Sequence, residues 1–285
     1  MVKLGERLFY RLAKRWIAGY TMDDAIRDAH LANEKKIRVI LNRLGEHTPD
    51  PNLIEQYHQE YLKLVDAIQT EKIQGCVSVK PSQMGLASNL ALYKKNLVSV
   101  VERALEEHEF VWIDMENSPY TENTVQVYRD LLASGREDVG MCLQSNMKRT
   151  LKDVQELLAL QGKIRLVKGA YPENSEVAYK KKTEIDDNYR KIMTLLFEQD
   201  QFFAVATHDE KMIREARELS KDHSSSKFEF QMLKGIRDDL KIQLESEGYQ
   251  VSEYIPYGPE WYNYSIRRLR ERKRNILLLL RSITG

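Results

Sequence analysis

VGMCLQSNMKRTLKDVQELLALQGKIRLVK (139–168) carries the pattern that decides the fold. Its two ends, VGMCLQ (139–144) and IRLVK (164–168), are short apolar runs that suit a buried β-strand and are too short for a convincing helix. Between them, TLKDVQELLALQ (150–161) has the periodicity of an amphipathic helix. A strand, a helix and a second strand within thirty residues is the unit from which parallel sheets are built.

The same unit repeats along the chain. Further strand-like runs are IRVILN (37–42), CVSVK (76–80), FVWID (110–114), FFAVAT (202–207), FEFQM (228–232) and YQVSEY (249–254). Helical segments lie between them, including NLIEQYHQEYLKLVDAIQ (52–69) and DEKMIREARELSKD (209–222), the latter with an acidic first turn as the helix dipole prefers. Eight strands, each followed by a helix, predict an α/β fold of the (βα)8 TIM-barrel type, which takes about 250 residues, rather than a doubly wound sheet. Residues 1–35 are expected to add N-terminal helices, with TMDD (21–24) starting the second, and 36–285 to form the barrel of a single domain. There is no linker-like stretch, no G-x-G-x-x-G after a strand and no G-x-x-x-x-G-K-[ST]. A Rossmann half or a P-loop therefore lacks support.

Composition narrows the function classes. Forty-four Lys+Arg against 43 Asp+Glu leave a net charge of +1, which argues against a surface tuned to nucleic acid. Any anion site must be local. The stretch MVKLGERLFYRLAKRW (1–16) is charged throughout and unlike a signal peptide, and no apolar run is longer than ILLLL (276–280), which is too short to span a bilayer. Cys76 and Cys142 sit in apolar runs with no CxxC or Cys/His cluster, so they read as buried thiols of a cytoplasmic protein without a metal site.

In a parallel barrel, catalytic groups gather at the C-terminal strand ends. Here those ends carry Lys80, Asp114, Gln144, Lys168 and the pair Thr207-His208. Arg165 interrupts an apolar strand, so either it faces a polar ligand in the barrel mouth or the strand is partly solvated there. Gly169 and Ala170 permit close approach to the backbone. The lysines of KKKTEIDDNY (180–189) form a solvated face or a phosphate contact near a helix N-terminus. After the last strand, Pro256, Gly258 and Pro259 make a turn, and a helix is expected from about Glu260. On it Tyr264, Arg267, Arg268 and Glu271 fall at i, i+3, i+4 and i+7, one narrow face. Two arginines held this way suit a carboxylate, although the spacing taken alone fits a solvated, salt-bridged face better. Two other functions are open to these residues. Lys80 or Lys168 could form a Schiff base, and RRLRERKR (267–274) could meet nucleic acid or an anionic membrane.

VKGAY (167–171), ATHD (206–209), FEFQML (228–233) and YIPYG…WYNYSIRRLRER (254–272), with VSVKPSQMGL, VWIDMEN and GMCLQSNMKRT, resemble the proline dehydrogenase family in order and from about residue 21 onward. The length resembles that of its monofunctional bacterial members. The resemblance implies a (βα)8 barrel that binds FAD at its C-terminal face and oxidises L-proline to Δ1-pyrroline-5-carboxylate by hydride transfer to flavin N5, the first step of proline catabolism. It implies that Arg267, Arg268 and Lys80 take the proline carboxylate, and that Tyr254 and Tyr264 close over the ring against Leu233. Asp114 and Glu271 would hold the basic groups by ion pairing. Gln144 and Arg165 would hydrogen-bond the isoalloxazine, Lys168, Gly169, Ala170 and Tyr171 would form the floor, and Thr207, His208 and Lys182 would meet the rest of the cofactor. Tyr264 is where discrimination against 4-hydroxyproline is expected. No residue is assigned as the base that accepts the amine proton. The resemblance also implies a membrane quinone as electron acceptor, hence a transient peripheral contact with the membrane. Two departures stand out: KPSQMG follows the strand-2 lysine, and Asp209 stands where Asn is usual.

Overall fold

Eight runs of apolar and β-branched residues form strands in the places expected: β1 (Arg38–Arg43), β2 (Gly75–Val79), β3 (Val111–Ile113), β4 (Val139–Gln144), β5 (Lys163–Val167), β6 (Phe203–Ala206), β7 (Phe228–Leu233) and β8 (Gln250–Tyr257). In the computed structural model, which describes residues 4–222 and 227–271, neighbours pair in parallel and β1 closes on β8, giving an eight-stranded barrel. The side chains of 4–8, 267 and 269–271 lie outside the described residues.

Helices α1 (Leu4–Ala13) and α2 (Met22–Asn33) precede β1. Then α3 (Pro51–Thr70), α4 (Leu90–Glu106), α5 (Ser118–Ala133), α6 (Thr150–Leu158), α7 (Lys182–Phe197), α8 (Glu210–Leu219) and α9 (Asp238–Ser246) follow β1 to β7 in turn, and α10 (Trp261–Glu271) follows β8. Local chemistry starts them. Thr21 and Asp24 form a reciprocal capping box on α2; Asp50 caps α3 with Pro51 in its first turn, and Asn89 caps α4.

A barrel strand sends alternate side chains inward and outward. The outward set packs with the helices in the main core, exemplified by Val39, Leu41, Val77, Val79, Leu143 and Leu166. The inward set includes Ile40, Cys76, Trp112 and Ala204, a small separate cluster inside the barrel. Two residues further along these strands the inward positions turn polar, at Asn42, Ser78 and Asp114. That change of polarity marks the mouth.

The N-terminal segment fixes the last helix. Trp16 Nε1 donates to Ser265 Oγ of α10 at 2.9 Å, and Ala13, Trp16, Ile17 and Leu44 pack with Trp261 and Tyr264 in a second core. β8 runs three residues beyond the expected end, through Pro256. Its pairing with β1 continues past the proline to Arg43↔Tyr257, and Leu44 N donates to Tyr257 O at 2.7 Å.

Candidate active site

The C-terminal strand ends enclose a cavity of about 780 Å³. Of the residues expected there from the sequence, Lys80, Asp114, Gln144, Arg165, Lys168, Gly169, Ala170, Tyr171, Thr207, His208, Leu233, Tyr254, Tyr264 and Arg268 all line it. Lys182 does not. Its side chain is 72% exposed and, among the described residues, reaches the site through Asp186 and, at 3.2 Å, Asp209. The side chains of Arg267 and Glu271 lie outside the described residues, as does most of the basic run 267–274.

Asp114, buried at the end of β3, organises one wall. Its Oδ2 accepts from Lys80 Nζ at 2.8 Å and from Tyr254 OH at 2.7 Å; its Oδ1 accepts from Ser78 Oγ at 2.8 Å and from Arg165 Nη2. Burial acts to raise the Asp114 pKa, but the charges of Lys80 and Arg165 outweigh it and hold the carboxyl well below the usual range. The reciprocal holds for Lys80: burial opposes its charge, and Asp114 overrides burial and keeps the ammonium protonated. A Schiff-base lysine needs the neutral amine, so the state of Lys80 disfavours that chemistry at this position. Glu46, in the loop after β1, stands 3.8 Å from Lys80 Nζ and accepts from Tyr171 OH at 3.3 Å.

Arg165 is 3% exposed, which removes the solvated alternative. Besides Asp114 it donates to Ser78 Oγ at 3.0 Å, and its guanidinium lies 5.1 Å from the Trp112 ring centre and 5.7 Å from that of Tyr254. Its Nη1 is buried with no hydrogen-bond partner among the described residues. Gln144 has the complementary state: Nε2 donates to Glu116 O at 2.8 Å, leaving a buried Oε1 without a partner among them. Such orphans are costly unless a ligand meets them, so this floor suits a flat group bearing donors and acceptors. Gly169 has φ +104, and a Cβ there would collide with Asn146.

On the next wall, Lys168 pairs with Asp186 of α7 and with Asp209 at 2.6 Å. His208 Nε2 accepts from Leu233 N at 2.9 Å, which places the proton of the neutral ring on Nδ1. Asp209 N donates to Thr207 Oγ1 at 3.1 Å. From α10, Tyr264 and Arg268 reach the cavity together, the guanidinium 5.0 Å from the ring centre. Two members of the expected helical face thus arrive as the spacing requires.

Sequence reasoning missed Asn42, Glu46 and Gln231 among the lining residues. Asn42 was detectable, since it ends the run IRVILN as Lys80 ends CVSVK.

A profile of the family described as "Proline dehydrogenase" matches residues 25–276. Proline dehydrogenase 2 of Bacillus subtilis (strain 168) is 32% identical over 285 residues, covering 96% of this chain and 94% of that protein. Proline dehydrogenase of Deinococcus radiodurans is 35% identical over 287 residues, covering 99% and 93%. Among solved structures, proline utilization A from Bdellovibrio bacteriovorus, inactivated by N-propargylglycine, superposes with a TM-score of 0.88 at 23% identity. That match covers 96% of this chain but only 34% of the longer one, and it shows the shared barrel fold. Among the described residues, no helix is long and apolar enough to cross a membrane.

Proposed function

The chain belongs to the proline dehydrogenase family and is an oxidoreductase of that kind, and from that premise we propose that it oxidises L-proline to Δ1-pyrroline-5-carboxylate with FAD bound in the barrel mouth. One observation carries the reading. The cations Lys80 and Arg268 line the same cavity as apolar Leu233 and Ala170 and as the buried, unsatisfied Gln144 Oε1 and Arg165 Nη1.

FAD, when bound, supplies the acceptor for the hydride that leaves the ring carbon beside nitrogen. The chain's own residues bind and orient. Gln144 and Arg165 would hold the isoalloxazine through the atoms that lack partners. Lys168, Gly169, Ala170 and Tyr171 would shape its floor, and the absence of a Cβ at Gly169 lets the backbone pass close to Asn146. Thr207 and His208 would contact the remainder of the cofactor, with Lys182 at its solvent end.

Arg268, with Arg267 beside it in sequence, would grip the proline carboxylate, and Lys80 would add a third cation. Asp114 holds the Lys80 ammonium in place, which restricts its motion before substrate arrives. Tyr254, itself anchored on Asp114, and Tyr264 would cover the pyrrolidine ring, with Leu233 on its apolar side. A membrane quinone is the proposed final electron acceptor, reached through a transient peripheral contact.

Incubation with L-proline should form one cyclic imine for every two electrons delivered to an added dye. N-propargylglycine, which inactivated the Bdellovibrio protein, should inactivate this one, with proline protecting. Imine formation without dye reduction, or insensitivity to both compounds, would contradict the proposal.

A further inference from the structure

Glu229 lies on β7 inside the barrel, 5% exposed, two residues before Gln231 and so on the same inward-facing side of the strand. The oxidation of proline as outlined gives it no part. Both of its carboxyl oxygens accept hydrogen bonds: Oε1 from Gln231 Nε2, and Oε2 from Ser252 Oγ of the adjacent strand β8 at 2.7 Å. Accepting at both oxygens is the behaviour of a carboxylate. Burial raises the pKa of this carboxyl above the ordinary glutamate value, and the two hydrogen bonds, with the charges of Arg38 and Arg165, offset only part of that rise.

A carboxamide has one donating and one accepting end. With Nε2 committed to Glu229, the Gln231 carbonyl is the end that remains. Gln231 lines the active-site cavity, and its Oε1 is buried without a hydrogen-bond partner among the described residues. Gln144 is arranged the same way, its Nε2 spent on Glu116 O and its Oε1 left over. The cavity therefore presents two acceptors whose orientation is set from behind.

We propose that Glu229 is a positioning residue which, by holding Gln231 Nε2, turns Gln231 Oε1 toward a ring N–H of the group bound in the cavity. The inference rests on the flavin reading, because the isoalloxazine carries one imide N–H of that kind, which Gln231 Oε1 would share with Gln144 Oε1. Without the negative charge behind it, the carboxamide would be free to turn and would meet that N–H with another donor.

Glu229→Gln tests this, since it keeps the shape but can donate to Gln231 Oε1 and release the amide. The FAD dissociation constant, measured by flavin fluorescence on the full chain, should rise about three- to tenfold. Ser252→Ala removes the other hydrogen bond to the same carboxyl without touching Gln231, and should stay within about twofold of wild type. A merely structural cross-link between β7 and β8 would make the two variants alike. Gln231→Met should lose affinity on its own, and adding Glu229→Gln to it should cost nothing further. Wild-type affinity in Glu229→Gln, or an equal loss from it in the Gln231→Met background, would overturn the proposal while leaving the flavin reading intact. If Glu229→Gln does not fold, full FAD affinity in Gln231→Met overturns it instead. A wild-type chain that takes up no FAD would overturn the flavin reading and this inference with it.

Discussion

Replacing Asp114 by Asn should be far more damaging than its conservative shape suggests. The residue is 7% exposed and its carboxylate accepts from four donors, two of them the cations Lys80, part-buried, and Arg165, fully buried. Asn keeps one acceptor oxygen and turns an NH2 group toward the others, so two cations are left in a buried site without their counter-charge. Removing one partner of a buried ion pair costs about 3–5 kcal/mol. Glu46, 3.8 Å from Lys80, offsets part of that, which places the loss near the lower half, about 3–4 kcal/mol. At about 2.1 cal/mol/K per residue, a chain of this length unfolds with an entropy of about 0.6 kcal/mol/K, so Tm should fall by roughly 5–7 °C. Circular dichroism melts at saturating FAD would read it. Ser78→Ala, which deletes a neutral donor to the same carboxylate and an acceptor for Arg165 Nη2, should cost less, about 2 kcal/mol, or roughly 3 °C. An Asp114→Asn protein melting within a degree of wild type, or a Ser78→Ala protein equally damaged, would show that the Asp114 charge does not hold the two cations.

Arg268→Met should lower kcat/KM for L-proline by about ten- to a hundredfold, the value of one charge-assisted contact, while FAD remains bound; unchanged steady-state kinetics would remove Arg268 from the carboxylate site. Gly169→Ala should destabilise by about 2 kcal/mol or more and weaken FAD retention on gel filtration, because φ +104 suits glycine and the new Cβ would strike Asn146. Stability should also fall in acid with a definite sign. Asp114, Asp186 and Asp209 each titrate below the usual carboxylate range; burial opposes this, but Lys80 and Arg165 outweigh it at Asp114, and Lys168 and Lys182 at the other two. The unfolded chain therefore takes up protons first, so their contribution is complete above the ordinary aspartate value of about 3.9 and is lost as pH drops below it. Melts between about pH 5 and pH 3 should show a shallower decline for Asp114→Asn than for wild type.

The strands were readable because a parallel barrel buries both faces of each one, which leaves short continuous apolar runs. Site residues at strand ends, such as Lys80, Asp114 and Gln144, were readable for the same reason: a polar group closing an apolar run marks where the strand meets the mouth. What could not be read was partnership across the barrel. That Arg165 of β5 meets Asp114 of β3 and Ser78 of β2 depends on register and closure, which no local pattern encodes. Glu46 and Asp186 were silent because one sits in an aperiodic loop and the other on a helix rich in charge. Gln231 and Glu229 lie inside a strand run whose polar positions look like breaks in an apolar segment until the inward face is known. The lysines of 180–182 were open between a solvated face and a cofactor contact, and Lys182 proves mostly exposed while tied to Asp209 at the site's edge.

The most direct test is the absorption spectrum of the purified chain under anaerobic conditions, recorded before and during titration with L-proline. Flavin bands that bleach as proline is added are expected near neutral pH, with Arg268→Met requiring much more proline for the same bleaching. A colourless protein that takes up no FAD, or a flavin spectrum indifferent to proline, would rule out flavin-dependent proline oxidation in this barrel.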